Sequence, residues 1–107
     1  MNISTTNFLN NKPTLYIHCK DKHKDLGTYV VEWGETYKFE IYKSFWGRTW
    51  YYCGVKFDNI LHRFDIFFQR RDDVFCDPDC YWIIKDDGPC SIYYRRHSNF
   101  TRCFPWK

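Results

Sequence analysis

The sequence predicts an all-β fold: a small antiparallel β-sandwich of about seven to nine strands, stapled by disulfides. Three observations predict it. The chain has no alanine and only four leucines, Leu9, Leu15, Leu26 and Leu61, while 22% of its residues are aromatic. Helices draw on Ala, Leu, Glu and Gln, which lose little side-chain freedom there, whereas Tyr, Phe, Trp, Val, Ile and Thr suit a pleated surface. Apolar residues also recur at the strand period of two, with no sustained helical period. Finally, six cysteines occur in 107 residues. A domain of this size buries only about 60–70% of its unfolded surface, so covalent links are a common supplement.

The length suits a single domain spanning residues 1–107. Residues 1–13 read as a flexible N-terminal segment. "TLYIHCK" then sets Leu15, Ile17 and Cys19 on one face, and the short strand "TYVV" follows Gly27. "TYKFEIY" turns Tyr37, Phe39 and Ile41 inward; "TWYYCGVKF" aligns Tyr51, Cys53, Val55 and Phe57. "HRFDIFF" aligns Phe64, Ile66 and Phe68, "CYWIIK" aligns Cys80, Trp82 and Ile84, and "CSIYY" aligns Cys90, Ile92 and Tyr94. Trp50, Tyr52, Phe67, Tyr81 and Tyr93 fall on the opposite phases. Turn residues separate the strands at "DLG", "EWGE", "FWGR", "FDN", "DPD" and "DDGP", Asp87-Gly88 being a strong hairpin signal. Residues 95–107 read as a basic C-terminal extension.

Cys19, Cys53, Cys80 and Cys90 share the phase of the apolar strand faces, which suits two bridges through the core. Cys76 and Cys103 lie in an acidic loop and in the basic extension, which suits a third bridge between them. Cys80 and Cys90 flank one hairpin, off direct opposition. The alternatives are Cys19–Cys90 with Cys53–Cys80, Cys19–Cys80 with Cys53–Cys90, or Cys19–Cys53 beside a disfavoured remaining pair, and sequence does not choose among them. Disulfides imply a secreted, extracellular protein. No basic n-region or apolar h-region opens the chain, which is read as a mature form, and no apolar run reaches the ~20 residues of a membrane span. Asn2 ("NIS") and Asn99 ("NFT") begin glycosylation sequons outside the segments read as strands.

Several function classes are disfavoured. A net charge of +3 is too small to point to nucleic acid. A ribonuclease-like hydrolase needs two histidines converging on a phosphate. His18, His23, His62 and His97 are available, but nothing forces them together, and surface histidines are the commoner outcome. No G-x-S-x-G occurs. Zinc on Cys76, Cys80, Cys90, Cys103 or His97 competes with disulfides for the same sulfurs. "DDVFCDPD" lacks the glycine and glutamate of a calcium loop. The expectation is therefore no enzyme, no cofactor and no metal.

Taken in order, "IHCKDKHKDLG", "EWGETYKFEI", "FWGRTWYYCGVKF", "HRFDIF" and "CYWIIKDDGPC" resemble the plant self-incompatibility protein homologue family, the S-protein homologues. The likeness runs from about Leu15 to Tyr94. It implies a small secreted antiparallel β-sandwich with two shared disulfides, Cys19–Cys90 and Cys53–Cys80. It also implies a ligand recognised by a plasma-membrane receptor protein, as in pollen–pistil or other cell–cell communication, with no membrane insertion and a monomeric state. This chain departs from the pattern in Cys76, Cys103, the basic extension and "KDKHKD". Loops on a rigid frame carry such function. The two expected to meet the partner are Lys20, Asp21, Lys22, His23, Lys24 and Asp25, and the segment from Arg70 to Asp79 with Arg70, Arg71, Asp72, Asp73, Asp77 and Asp79. Both act through charge complementarity.

Overall fold

A computed structural model of the chain describes residues 1–73, 75–76, 79–94 and 99–107. The order of elements is β1 (Asn2–Asn7), β2 (Leu15–Lys20), β3 (Asp25–Val31), β4 (Thr36–Glu40), β5 (Trp50–Phe57), β6 (Ile60–Phe68), α1 (Gln69–Asp72), β7 (Cys80–Lys85), β8 (Gly88–Tyr94) and β9 (Asn99–Cys103). They form a five-stranded sheet, β4-β1-β7-β8-β9, and a four-stranded sheet, β3-β2-β5-β6. Neighbouring strands are antiparallel except β1 and β7, which run parallel. The all-β sandwich expected from composition and periodicity is what forms.

The inward sets of β2, β5 and β7 are those the alternation predicts. Leu15, Ile17 and Cys19, then Tyr51, Cys53, Val55 and Phe57, then Cys80, Trp82 and Ile84 are all buried in one core. Each aliphatic or aromatic side chain so placed contributes about 1.5–3 kcal/mol. The Phe64 ring of β6 meets Trp82 of β7 edge-on at 5.4 Å, linking the two sheets. Asp58 and Asn59 both take positive φ, 51° and 62°. That is the two-residue turn whose twist matches the β5–β6 hairpin.

Several expectations fail. The N-terminal segment is not free: β1 lies between β4 and β7, with Ile3 opposite both Phe39 and Cys80. Buried Asn7 donates to the carbonyls of Pro13 and Val31, both at 2.9 Å, and accepts the Leu9 N–H. Asn2 therefore opens a strand, and so does Asn99. The C-terminal residues are also built in. β9 pairs with β8, the Phe104 N–H bonds the Pro89 carbonyl at 2.9 Å, and the Trp106 ring stacks on His62 at 4.8 Å. Arg95, Arg96 and His97 lie outside the described residues.

Strand phase fails in two places. Tyr51 pairs with Phe67 but Tyr52 pairs with Asp65, so Ile66 is an extra residue, a bulge. Ile66 and Phe67 are consequently both buried and Phe68 turns outward. In β8, Ser91 sits opposite inward Trp82, so Ser91 and Tyr93 face inward and Cys90 shares the outer face with Ile83. "CSIYY" has apolar side chains on both phases, so periodicity alone could not choose.

The disulfides are Cys19–Cys53, Cys76–Cys80 and Cys90–Cys103. The Cys19–Cys90 and Cys53–Cys80 pairs implied by the resemblance do not form, nor does Cys76–Cys103; of the alternatives the residues leave open, the one containing Cys19–Cys53 holds for that pair. Strand register explains this. Cys19 is directly opposite Cys53 on the adjacent strand, and Cys90 is directly opposite Cys103. The links therefore stitch neighbours within a sheet rather than one sheet to the other. By chain-entropy reasoning, spans of 34, 13 and 4 residues contribute about 4, 3 and 2 kcal/mol.

Candidate functional site

Strand order brings several connections to one end of the sandwich. β2 ends beside the start of β5 (Lys20 opposite Tyr52), and β5 starts beside the end of β6 (Trp50 opposite Phe68). The β2–β3 turn (21–24), the β4–β5 connection (41–49) and the segment after β6 therefore emerge together. The chain terminus joins them, since Met1 exchanges backbone hydrogen bonds with Ile41.

The β2–β3 turn is tight. The Asp21 carboxylate accepts the N–H groups of His23 and Lys24 at 2.8 and 2.6 Å. Asp25 accepts the Gly27 N–H at 2.8 Å and contacts His18 Nε2 at 2.5 Å. The Gly27 bond first, and His18 second, hold the Asp25 carboxyl below its usual range. Lys20, Lys22, His23 and Lys24 remain exposed. Burial, then nearby Asp21, raises the Tyr51 hydroxyl above its ordinary range at the base of this turn.

The residues expected in the second loop divide into two groups. Asp72 is fully buried. Its carboxylate accepts Phe68 N–H at 2.8 Å and two Arg71 donors at 2.7 and 2.8 Å. Arg71 also reaches the Asp65 carbonyl at 2.7 Å and lies over the Phe104 ring at 4.8 Å. These two side chains build the frame and do not face a partner, which corrects their assignment to a docking surface. Asp79 accepts the Asn2 N–H at 2.8 Å. Arg70 is exposed, and Asp73 pairs with Lys43 at 2.6 Å. Asp77 lies outside the described residues.

The feature the sequence reading missed is the β4–β5 connection. Its base is pinned: buried Gln69 bonds Ser44 O and Thr49 N, each at 3.2 Å, and Thr49 Oγ1 accepts Ser44 N–H at 2.6 Å. From that base Tyr42, Phe45 and Trp46 project with 80%, 92% and 77% of their surface exposed. Phe45 and Trp46 meet edge-on at 5.2 Å. A cleft of about 590 Å³ separates this connection from the β2–β3 turn, with Lys22, His23, Trp46 and Arg48 on its walls. The signal lies in "YKSFWGR", where three aromatics fall between two strands, whereas turn chemistry alone marks only "FWGR".

The structure does not bring His18 and His62 together. His18 pairs with Gly54 and His62 with Val55, adjacent positions on β5, so the two side chains point to opposite faces of the sheet. His62 is stacked between Phe57 and Trp106, and His97 lies outside the described residues. All six sulfurs are in disulfides, so no thiolate is free for zinc. Among the described residues no group of three His, Cys, Asp or Glu side chains is placed to hold a metal ion, and no helix is long and apolar enough to cross a membrane.

Residues 2–106 match the family described as plant self-incompatibility protein S1. The chain is 40% identical over 105 residues to S-protein homolog 5 of Arabidopsis thaliana, covering 98% of this chain and 77% of that protein. It is 38% identical to S-protein homolog 2 of the same plant, covering 97% and 66%, and 33% identical to S-protein homolog 19, covering 99% and 76%. No solved structure matches. With the family match spanning nearly every residue, the chain belongs to the plant self-incompatibility protein S1 family.

Proposed function

We propose that this chain is a secreted, ligand-type recognition protein that binds a plasma-membrane receptor through the loops at one end of its sandwich, in self-incompatibility-like or other cell–cell signalling. It acts as a monomer and is not an enzyme. Family membership and the disulfides, which persist in oxidising compartments, support the reading. The observation that carries it is the pair Phe45 and Trp46, almost fully exposed on a connection whose base is held rigid. Large aromatics on a fixed backbone lose little freedom on binding and dominate interface energetics, while flanking charges steer encounter. Lys22, Lys24, Arg48 and Arg70 supply those charges.

Saturation binding of labelled protein to plant protoplasts tests this. Phe45→Ala with Trp46→Ala is expected to weaken binding at least about 30-fold, a loss of two hot-spot side chains. The circular dichroism spectrum and melting temperature should not change, because both side chains are exposed. A variant that competes as well as the parent would contradict the proposal.

A further inference from the structure

We propose that the outer face of the four-stranded sheet is a second binding site, for an acidic oligosaccharide of uronate-type sugars. Register builds it in rows across β2, β5 and β6: Tyr16–Lys56–Leu61, His18–Gly54–Arg63 and Lys20–Tyr52–Asp65. Gly54 in the middle row has no side chain, and a Leu61 methyl leans over it, 3.3 Å from where a Cβ would sit; the open groove across these rows measures about 620 Å³. That volume is in the range of small-ligand sites.

The groove has one aromatic wall and a cationic rim. Trp50 donates its indole N–H to Asp65 at 2.8 Å, and Asp65 also pairs with Lys107 at 2.6 Å. The indole is thereby held by its edge with 47% of its surface open, and the groove's own carboxylate is already neutralised. The other nearby acid, Asp25, is engaged by His18 and Gly27. None of the ion pairs among the described residues uses Lys20, Lys56 or Arg63. Lys20 lies opposite Asp25, whereas Lys56 and Arg63 face the groove with no carboxylate of the described residues paired to them.

A ligand that fits must bring anionic groups for these cations and a flat apolar face for Trp50. A pyranose ring carrying a carboxylate does both, its C–H face lying on the indole and its carboxylates reaching Lys56 and Arg63. A neutral glycan would cover the cations without pairing them, at a desolvation cost. Single-stranded nucleic acid wants separate stacking platforms. Trp50 and Tyr52 instead touch each other, 5.2 Å apart with planes at 52°, and form one bent wall.

The test is titration of the purified protein with an oligogalacturonate decamer, followed by tryptophan fluorescence and calorimetry. Binding is expected, and rising salt should weaken it. Lys56→Glu with Arg63→Glu, both at exposed positions, should reduce affinity by about tenfold or more with the fold intact. Trp50→Ala should reduce it comparably. Phe45→Ala with Trp46→Ala should leave it unchanged, which separates this site from the receptor surface. No binding by the parent, equal binding by the Lys56/Arg63 variant, or tighter binding of cellohexaose or of a uridine RNA decamer would overturn the proposal.

Discussion

Asp72 and Asp73 are neighbours of the same type with opposite roles. Asp72 is enclosed by Phe68 N–H and the Arg71 guanidinium, while Asp73 reaches outward to Lys43. Removing one partner of a buried pair leaves the other uncompensated, so Asp72→Asn should lower stability by about 3–5 kcal/mol in urea unfolding. Arg70→Glu, two residues away, should stay within about 0.5 kcal/mol. Equal losses for the two variants would show that Asp72 is solvated. The run "RRDD" could not reveal this, because alternation in charge says nothing about which carboxylate the chain folds over. The inward phases of β2 and β5 were legible residue by residue, since each sets its aliphatic and cysteine side chains on one phase and leaves only aromatic, charged, histidine and glycine residues on the other.

At the scale of elements, the strands read correctly are those with strong aromatic alternation, and the two missed are polar. β1 is "NISTTN", whose inward residues are Ile3, Thr5 and Asn7. β9 is "NFTRC", an edge strand exposed along its length. Their pairing comes from the sheet, which no local pattern announces. The residues after β9 close over the start of β8, where Gly88 has φ 149° and a Cβ would lie 2.0 Å from the Phe104 carbonyl oxygen. Gly88→Ala must therefore displace the tail, and should cost about 2–4 kcal/mol. Hydrogen exchange should show lost protection of the Phe104 amide, which bonds Pro89. Unchanged protection in that variant would mean that the tail does not rest on Gly88. The functional connection was missed for a related reason. Turn chemistry located "FWGR" between strands, but exposure of its aromatics depends on Gln69, far along the chain, holding its base.

At the scale of the molecule, two sheets pack mainly by apolar contact, with Asn7 of β1 bonding the Val31 carbonyl of β3, and each covalent link joins near neighbours in the fold. Disulfides across the core would have tied sheet to sheet. Here they fix β2 to β5 and β8 to β9, and lock the approach to β7, so the frame stays rigid within each sheet up to the loop end. Six cysteines announced cross-links, but their pairing follows from register, which sequence does not state. Tryptic peptide mapping of the unreduced protein by mass spectrometry tests this directly. The predicted result is residues 1–20 linked to 49–56, residues 86–95 linked to 103–107, and peptide 72–85 two hydrogens lighter than its reduced form. A link from 1–20 to 86–95, or from 49–56 to 72–85, would contradict it.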